Sequence, residues 1–344
     1  MPEPMVLIRG LYKIFGPRAA KVLPMVLDGM GKQELLDSHG CVLGLRDINM
    51  SVPRHFIQVV MGLSGSGKST LLRHINRLIA PTAGEIVVDG LDVSTMDDPT
   101  LREFRRHRAS MVFQRFALLP HRTVRDNIGF GLRIQGLESA EVERRASRWI
   151  ERVGLEDFAD RYPGELSGGM QQRVGLGRAL ATDPDILLMD EAFSALDPLI
   201  RYDMQNMLID LQKELKKTIV FITHDLEEAL RIGDNITILR DGGVVQQGTA
   251  QEIVLTPADD YVADFVKDVN RGKVIRVESI MKPATECADT PAIPVGTRLE
   301  RAALALSEAT SDRGTVTGRD GKALGSISQL DLLSAMVRRK QPAN

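Results

Sequence analysis

The stretch GLSGSGKST, residues 62–70, decides the fold of this chain. The apolar, β-branched run FIQVVMG (56–62) leads into it and predicts a strand buried on both faces, and the residues after it read as a helix until Pro81. Strand, glycine loop and helix in this order, with the spacing GxxxxGK[ST], are the context of a phosphate-binding loop. Lys68 is placed to reach the β- and γ-phosphates, and Ser69 to bind Mg²⁺. The stretch therefore predicts a nucleotide-binding α/β domain.

Composition and charge exclude several classes of protein. With 344 residues the chain is long enough for two domains, and no apolar run approaches the roughly 18–20 residues that cross a bilayer. The start, MPEPMVLIRG, shows no secretory signal, and Cys41 and Cys287 lie too far apart in sequence to indicate a disulfide framework or a metal site. A net charge of −2 gives no general electrostatic reason to bind nucleic acid. We expect a protein of a reducing cytoplasm without a nucleic-acid partner.

Two further strand ends carry candidate chemistry. In ILLMDE (186–191) a buried strand ends at Asp190, at the edge where open parallel sheets bind ligands, so Asp190 suits the Mg²⁺ shell. Glu191 could accept a proton from an attacking water. His224 ends the apolar strand TIVFIT and could point at a γ-phosphate. The alternatives, a solvated acidic turn and a structural histidine, stay open at this point.

A second glycine-bearing loop, LSGGMQQR (166–173), has no use in a kinase or a small GTPase. Its glycines allow close approach, Ser167 offers a hydroxyl, and the helix that follows has an N-terminus that favours anions. Because the chain has one phosphate-binding loop, the nucleotide that this second loop faces should belong to a second copy. This predicts a head-to-tail pair with two ATP molecules between the subunits.

Six motifs in register carry a resemblance to the ABC-type ATPases, over roughly residues 6–255. They are GLSGSGKST, Gln114 within MVFQRFALLP, LSGGMQQR, ILLMDE, SALD (194–197) and THD (223–225). The resemblance implies an α/β fold: a P-loop ATPase domain with a RecA-like core, an antiparallel β part and a helical subdomain at about 115–175. It implies ATP hydrolysis with Mg²⁺ as cofactor, in a domain that spans residues 1–270.

Roles for individual residues follow from the same resemblance. Glu191 would position the hydrolytic water, His224 would hold the γ-phosphate, and Lys68 and Gln114 would complete the catalytic set. Phe15 matches the aromatic residue that stacks on adenine, although a place in the core is an open alternative. The residues expected to bind ATP are Phe15, Gly62, Ser64, Gly65, Ser66, Gly67, Lys68, Ser69 and Thr70. The signature loop that would act on the partner subunit's ATP consists of Ser167, Gly168, Gly169 and Gln171. The expected metal ligands are Ser69, Gln114 and Asp190, and Asp197 would communicate across the dimer.

The resemblance narrows to one kind of transporter. YPGELSGGM resembles importer ATPases, and the insertion at residues 16–41 resembles that of ATPases for quaternary ammonium uptake, with glycine betaine, proline betaine, choline or carnitine as cargo. It implies a quaternary-amine-transporting ATPase on the cytoplasmic face of the inner membrane. Its partners would be a membrane permease and, indirectly, a substrate-binding protein. Alternatives are an importer for another small solute, such as an amino acid, and a soluble non-transport ABC ATPase.

Two segments of the ATPase domain carry local predictions. Within SAEVERRASRWIERVG (139–154) the apolar residues, Trp149 among them, fall on one helical face and Gly154 follows as a helix stop. The segment 115–128 exposes apolar residues beside basic ones, so it is the candidate for docking the permease, against ordinary packing. PRHF (53–56) is expected at a hairpin.

Beyond residue 270 the composition changes. Residues 271–276 read as a linker, and 277–344 resemble a single CBS repeat, a small α+β module of which relatives usually carry two. The matching parts are a helix from Leu299, the Asp320–Gly321 turn and the strand ALGSIS. In that family the residues at the positions of Ser328 and Asp331 contact an adenosine nucleotide. A regulatory module that responds to ionic strength or to such a nucleotide, and a structural tail, are both open.

Overall fold

The computed structural model describes residues 3–114, 117–283 and 290–337. By its internal contacts the chain divides into two compact units, Met1–Gln247 and Gly248–Asn344. The domain boundary expected at 270 falls inside the second unit. Cys287 and the first residues of the expected docking segment lie outside the described residues. Within the described ranges, no helix combines the length and apolarity that crossing a bilayer requires.

The first unit contains two sheets with helices around them. Its strands are β1 (Val6–Phe15), β2 (Val42–Val52), β3 (Ile57–Met61), β4 (Ala83–Val88), β5 (Leu91–Asp92), β6 (Ala109–Val112), β7 (Ile186–Asp190), β8 (Thr218–Thr223), β9 (Asn235–Arg240) and β10 (Gly243–Gly248). Its helices are α1 (Ala19–Leu27), α2 (Lys32–His39), α3 (Lys68–Ile75), α4 (Asp98–His107), α5 (Val124–Ile134), α6 (Ser139–Arg152), α7 (Gly168–Ala181), α8 (Pro198–Leu215) and α9 (Leu226–Ile232).

The central sheet has the strand order β10-β9-β3-β8-β7-β6. β3, β8, β7 and β6 pair in parallel, and every residue of β3, β7 and β8 is buried. Continuous apolar runs such as TIVFIT suit these strands because helices and the second sheet cover both faces. Four neighbouring strands therefore end at one edge of the sheet, which is where the candidate site lies.

The smaller sheet is antiparallel, in the order β2-β1-β4-β5. Val6 of β1 lies opposite Val52 of β2 on one side and Val88 of β4 on the other. The expected hairpin at residues 53–56 is wrong, because these residues connect β2 in this sheet to β3 in the central sheet. Both flanking segments are apolar strands, so the sequence alone does not tell a hairpin from a crossing between sheets.

Helix α3 packs between the two sheets and is shorter than the sequence suggests. Leu71, Leu72 and Ile75 are at most 1% exposed, and each such side chain contributes about 1.5–3 kcal/mol by its burial. This packing fixes a helix that would be too short to persist alone. The helix does not run to Pro81. It ends at Ile75 because Arg77 has a left-handed φ of 49° and the Arg105 guanidinium donates to the carbonyl oxygens of Asn76 and Arg77, which follow the helix.

The helical subdomain is built from α5, α6 and α7. The apolar face predicted for α6 is confirmed, since Trp149 is 8% exposed and Val153 fully buried. Gly154 follows the helix with φ 65°, as expected for a residue that ends it. Trp149 is therefore a core residue of this subdomain.

The insertion at residues 16–41 folds as the helix pair α1 and α2. Val22, Val26 and Leu35 pack with Ile14 of β1 and Leu43 of β2 in a small hydrophobic cluster of their own, which also buries Cys41. The insertion is thus anchored on the edge of the antiparallel sheet, directly after Phe15.

The second unit has its own sheet, β11-β12-β13. Its helices are α10 (Ala250–Leu255), α11 (Asp260–Phe265), α12 (Arg271–Val274), α13 (Leu299–Glu308) and α14 (Gln329–Met336), and its strands are β11 (Ala292–Pro294), β12 (Arg313–Thr317) and β13 (Ala323–Ser328). The helix from Leu299 and the strand ALGSIS are as expected. The linker is wrong, because α12 packs against α13 and α14: Gly272 is buried beside Glu300 and Met336.

Candidate functional site

Four loops meet at the carboxyl edge of the parallel strands. The loop after β3 is the phosphate-binding stretch, His224 follows β8, and Asp190 and Glu191 lie at the end of β7. Gln114 comes shortly after β6. Because β3, β8, β7 and β6 are consecutive neighbours in the sheet, their ends bring these side chains together.

Lys68 begins α3, and its ammonium group folds back onto the phosphate-binding loop. Nζ donates to the carbonyl oxygens of Gly62 at 2.9 Å and Leu63 at 3.1 Å, and lies 3.9 Å from Oε1 of Glu191. Burial lowers the pKa of Lys68, and the charges of Glu191 and Asp190 act in the opposite direction. The same ammonium group can donate to phosphate oxygens in place of the two carbonyl oxygens.

Two glycines of the loop are required by its geometry. Gly62 has φ 153°, and a β-carbon there would lie 2.3 Å from the carbonyl oxygen of Leu239. Gly67 has φ 101°, and a β-carbon would lie 2.9 Å from the carbonyl oxygen of Gly44. Of the serines, Ser64 is exposed, whereas Ser66 is buried and its hydroxyl has no partner among the described residues. At positions 62 and 67, only glycine allows the loop to pack so closely against the backbone of Leu239 and Gly44.

Ser69 and Asp190 form the candidate metal site. Ser69 Oγ donates to Oδ1 of Asp190 at 2.7 Å, and Arg73 Nη2 lies 3.2 Å from Oδ2. A hydroxyl and a carboxylate are oxygen donors that Mg²⁺ accepts, whereas the Gln114 amide bonds Glu191 and Ser194 instead. Among the residues described, no group of three or more His, Cys, Asp or Glu side chains could hold a metal. Ser69 and Asp190 supply only part of the ligands of such an ion, so they fit an ion that is also bound by the phosphate oxygens of a nucleotide.

Glu191 occupies the middle of a small polar network. Its Oε2 lies 3.2 Å from Nδ1 of His224 and 3.4 Å from Nε2 of Gln114. Its backbone is left-handed, with φ 47°, a conformation that costs a non-glycine residue about 1–2 kcal/mol. The hydrogen bonds from Glu191 N to Ile222 O and from Ser194 N to Glu191 O hold it there. The strained turn directs the carboxylate toward the phosphate-binding loop.

Phe15 lies on the surface, which removes the alternative that it is a core residue. It is 39% exposed and, with the glycine loop, lines a cavity of about 280 Å³. The ring crosses Gly44, where a β-carbon would meet it at 2.6 Å. An exposed aromatic face beside the phosphate-binding loop is suited to stacking on a nucleobase.

The signature loop is not part of this cavity. Ser167 is the N-cap of α7 and accepts a hydrogen bond from Met170 N, and Gly168 and Gly169 form the first turn. Gln171 Nε2 donates to the carbonyl oxygens of Pro163 and Leu166, so this amide holds the loop of its own subunit. The residues that line the cavity come from the phosphate-binding loop, β1, β2 and α2, not from the signature loop. Asp197 likewise serves as an N-cap, of α8, accepting from Ile200 N at 3.0 Å.

In the second unit, Ser328 and Asp331 form a capping box at the start of α14. Ser328 N and Oγ both donate to Asp331 Oδ2, and Asp331 N donates back to Ser328 Oγ. Lys282 Nζ lies 2.6 Å from Oδ1, and this bond, followed by that from Ser328, lowers the pKa of Asp331. Both side chains are engaged within the unit, so a nucleotide would have to displace Lys282.

Two residues near the cavity escaped the sequence analysis. Lys32, the first residue of α2, lines the cavity and lies 3.9 Å from Asp241. No motif contains it, and a lysine on a polar helix gives no signal. Arg73 stands four residues after Ser69 on α3, hence on the same helical face, and this spacing was a usable signal.

The comparisons with known proteins agree with the geometry. Residues 45–194 match the protein family described as ABC transporter. The chain is 53% identical over 274 residues to the glycine betaine/carnitine transport ATP-binding protein of Listeria monocytogenes, covering 80% of this chain and 69% of the relative. It is 42% identical over 343 residues to the trimethylamine N-oxide transport system ATP-binding protein of Pelagibacter ubique, covering 99% of this chain and 100% of the relative.

A solved structure shares the fold of the first unit. It is the dimeric structure of a post-hydrolysis state of an ATP-binding cassette bound to ADP and phosphate, 32% identical with a TM-score of 0.61, covering 72% of this chain and 99% of that chain. Three observations assign the chain to a family: the order of its motifs, their convergence at one edge of the central sheet, and these similarities. The chain belongs to the ABC importer ATPases of the quaternary ammonium uptake family.

Proposed function

We propose that this chain is the ATPase subunit that couples ATP binding and hydrolysis to uptake of choline- or betaine-type compounds through a membrane permease. The observation that carries the proposal is the convergence of Lys68, Asp190, Glu191 and His224 at one sheet edge, with Ser167 outside the cavity that Lys68 lines. Such a site has the parts of ATP hydrolysis but lacks the signature loop until a second subunit brings it.

In the proposed reaction a water oxygen bonds to the γ-phosphorus of ATP, the bond from this phosphorus to the oxygen that bridges it to the β-phosphate breaks, and ADP leaves. Glu191 accepts the hydrogen bond of this water and then its proton. Lys68, the loop N–H groups and the N-terminus of α3 neutralise charge on the transferred group. His224, 3.2 Å from Glu191, is placed to orient both the carboxylate and the γ-phosphate.

Ser69, Asp190 and Gln114 would hold Mg²⁺, which would neutralise negative charge on the phosphates of the nucleotide. The Ser69–Asp190 bond of 2.7 Å would open for this, with Arg73 retaining the other carboxylate oxygen. Because the protein offers few oxygen ligands, we expect Mg²⁺ to bind together with the nucleotide rather than before it.

A head-to-tail dimer completes the site. The dimeric solved relative supports this assembly, and so does the separation of Ser167 from the cavity of its own subunit. In the dimer the N-terminus of α7 would face the γ-phosphate bound by the partner, where its free N–H groups and its dipole favour an anion.

The docking surface for the permease is proposed at the described part of 115–128. Pro120, His121 and Arg122 are exposed, and buried Asn127 fixes the segment by hydrogen bonds with Leu119, Arg122 and Thr123. A surface loop held rigid by a buried amide can transmit force to a partner. Docking of the permease at this surface would place the chain as a peripheral protein at the cytoplasmic face of the inner membrane.

The cargo is proposed from the chemistry that the relatives' names share. Glycine betaine, carnitine and trimethylamine N-oxide all carry three methyl groups on a positively charged nitrogen. Choline has the same group. A substrate-binding protein would recognise it through cation–π contacts with aromatic residues.

The test is uptake by cells that carry the permease with either this chain or its Glu191→Gln form. We expect labelled choline or glycine betaine to enter only with the unaltered chain, because Glu191→Gln removes the base of the hydrolysis step. Measuring at low and high external salt separates osmotic from nutritional uptake. A labelled amino acid serves as control: if it alone depends on Glu191, the proposed cargo is wrong.

We propose that the tail is a regulatory module that pairs with the tail of the second subunit. Two large apolar side chains of α14 face the solvent: Leu330 is 73% exposed and Leu333 is 59% exposed. Such an exposed apolar surface is suited to contact with a partner. Lys282, which holds Asp331, is itself 68% exposed, so this ion pair responds to salt.

Removing residues after Gly248 should leave ATP hydrolysis by the purified chain within about twofold, because all residues assigned to hydrolysis belong to the first unit. Uptake by the truncated chain should lose its dependence on external salt. The cut is placed at the unit boundary, since one near Gly272 would divide α12. An unchanged salt response of uptake would show that the tail is structural.

A further inference from the structure

Arg201 connects the two loops that follow β7 and β8. Its Nη1 donates to Asp225 Oδ2 at 3.1 Å, and its Nη2 donates to the carbonyl oxygens of Leu196 at 3.2 Å and Ser194 at 3.4 Å. Asp225 is the residue after His224, and the loop 194–197 starts three residues after Glu191. One planar guanidinium thus holds both loops.

The residue before Arg201 touches the signature helix. A β-carbon built on Gly169 would lie 2.5 Å from Cγ2 of Ile200, so α7 and the start of α8 are in close contact at this point. Arg201 N donates to Asp197 O in the first turn of α8. A displacement of the signature loop would therefore press on the helix turn that carries Arg201.

These contacts form a continuous series within one subunit. It runs from Gly169 through Ile200 and Arg201 to Asp225, whose neighbour His224 lies 3.2 Å from Glu191. Asp225 Oδ1 separately caps α9 by accepting from Glu228 N, so Arg201 is not needed to form that helix. The hydrogen bond from Arg201 therefore affects where the loop after β8 lies, not whether α9 forms.

We propose that Arg201 is a positioning residue that reports the engagement of a subunit's own signature loop to its own His224 and Glu191. The inference rests on the proposed function, in which that signature loop binds the partner's ATP. Through Arg201, closure on one nucleotide would align the catalytic groups on the other, so that the two sites hydrolyse in concert.

The test compares Arg201→Met, Arg201→Lys, Asp225→Asn and the double variant Arg201→Met/Asp225→Asn in the full chain with its permease. The matched control is Arg152→Met, which removes another partly buried arginine paired with α8, through Glu214, away from the site. ATP affinity, kcat, the Hill coefficient for ATP and the thermal midpoint are measured for each.

We expect Arg201→Met and Asp225→Asn each to lower kcat about tenfold while the ATP dissociation constant changes less than about twofold. The double variant should be no slower than either single one, because both remove one interaction. Arg201→Lys should recover part of kcat. The Hill coefficient should fall toward one, and the thermal midpoint by less than about 4 °C, as in the control.

Equal kcat and Hill coefficient in Arg201→Met and the unaltered chain would overturn the inference, and so would additive losses in the double variant. A drop in kcat that merely follows the thermal midpoint would overturn it as well. Absence of ATP hydrolysis by the unaltered chain would instead refute the proposed function, so the two failures are distinguishable.

Discussion

Replacing Glu191 by Gln should lower ATP hydrolysis by about 10²–10⁴-fold while ATP still binds. The amide has the shape of the carboxylate but cannot take a proton from the attacking water. It also removes the negative charge beside Lys68, so binding of the triphosphate should be unchanged or tighter. Because hydrolysis would otherwise release the dimer, the variant should accumulate as an ATP-bound dimer. Steady-state turnover, ATP binding and light scattering measure the three effects.

The control for Glu191→Gln is Glu85→Gln. Glu85 lies on β4 of the antiparallel sheet, where its Oε2 is 2.9 Å from Nη1 of Arg9. Turnover by this variant should stay near that of the unaltered chain. Undiminished hydrolysis by Glu191→Gln would assign the base to another residue, and failure to bind ATP would mean that Glu191 serves nucleotide binding.

Replacing Ser167 by Arg should abolish hydrolysis with ATP binding to the same subunit intact. The side chain of Ser167 lies at the N-terminus of α7 and outside the nucleotide cavity. A bulky arginine there would prevent the helix end from approaching the partner's γ-phosphate. ATP binding by the monomer, turnover, and ATP-dependent dimerisation in a Glu191→Gln background are the measurements.

Loss of the helix cap alone could lower activity, since replacing a serine cap costs about 1 kcal/mol. Ser167→Asp separates the two effects because aspartate caps the helix as well as serine but brings a negative charge toward the phosphates. We expect Ser167→Asp to keep its thermal midpoint and still lose hydrolysis. Normal turnover with either substitution would contradict a role of this loop at the partner's site.

Much of the site could be predicted from the sequence because its motifs are local. Asp190 and His224 each stand at the end of a continuous apolar run, Lys68 follows another such run after one glycine loop, and parallel strands collect such ends at one edge. The apolar face of α6 could be predicted for the same reason: one turn of helix determines which residues share a side. These features need no knowledge of distant contacts.

Features that depend on distant contacts were missed. The early end of α3 depends on Arg105, thirty residues after Ile75, and residues 53–56 cross between sheets, which depends on strand pairing far along the chain. The helix at 271–274 is held by α13 and α14, and its own sequence, RGKV, favours no helix. Lys32 belongs to no motif, and Arg201 ends the stretch MDEAFSALDPLIR (189–201), which resembles the family without indicating a role for this residue; their partners Asp241 and Asp225 could be identified only in three dimensions.

The measurement that tests the account most directly is hydrolysis by a mixture of the Ser167→Arg and Glu191→Gln chains, each inactive by itself. If the signature loop serves the partner, a mixed dimer contains one intact site: the phosphate-binding loop and Glu191 of the first chain with Ser167 of the second. Random pairing makes half of the dimers mixed, each with one intact site, so activity should rise clearly above that of either component, to at most about one quarter of the unaltered activity. If each chain used its own signature loop, no mixed dimer would have an intact site, and a mixture as inactive as its components would contradict the account.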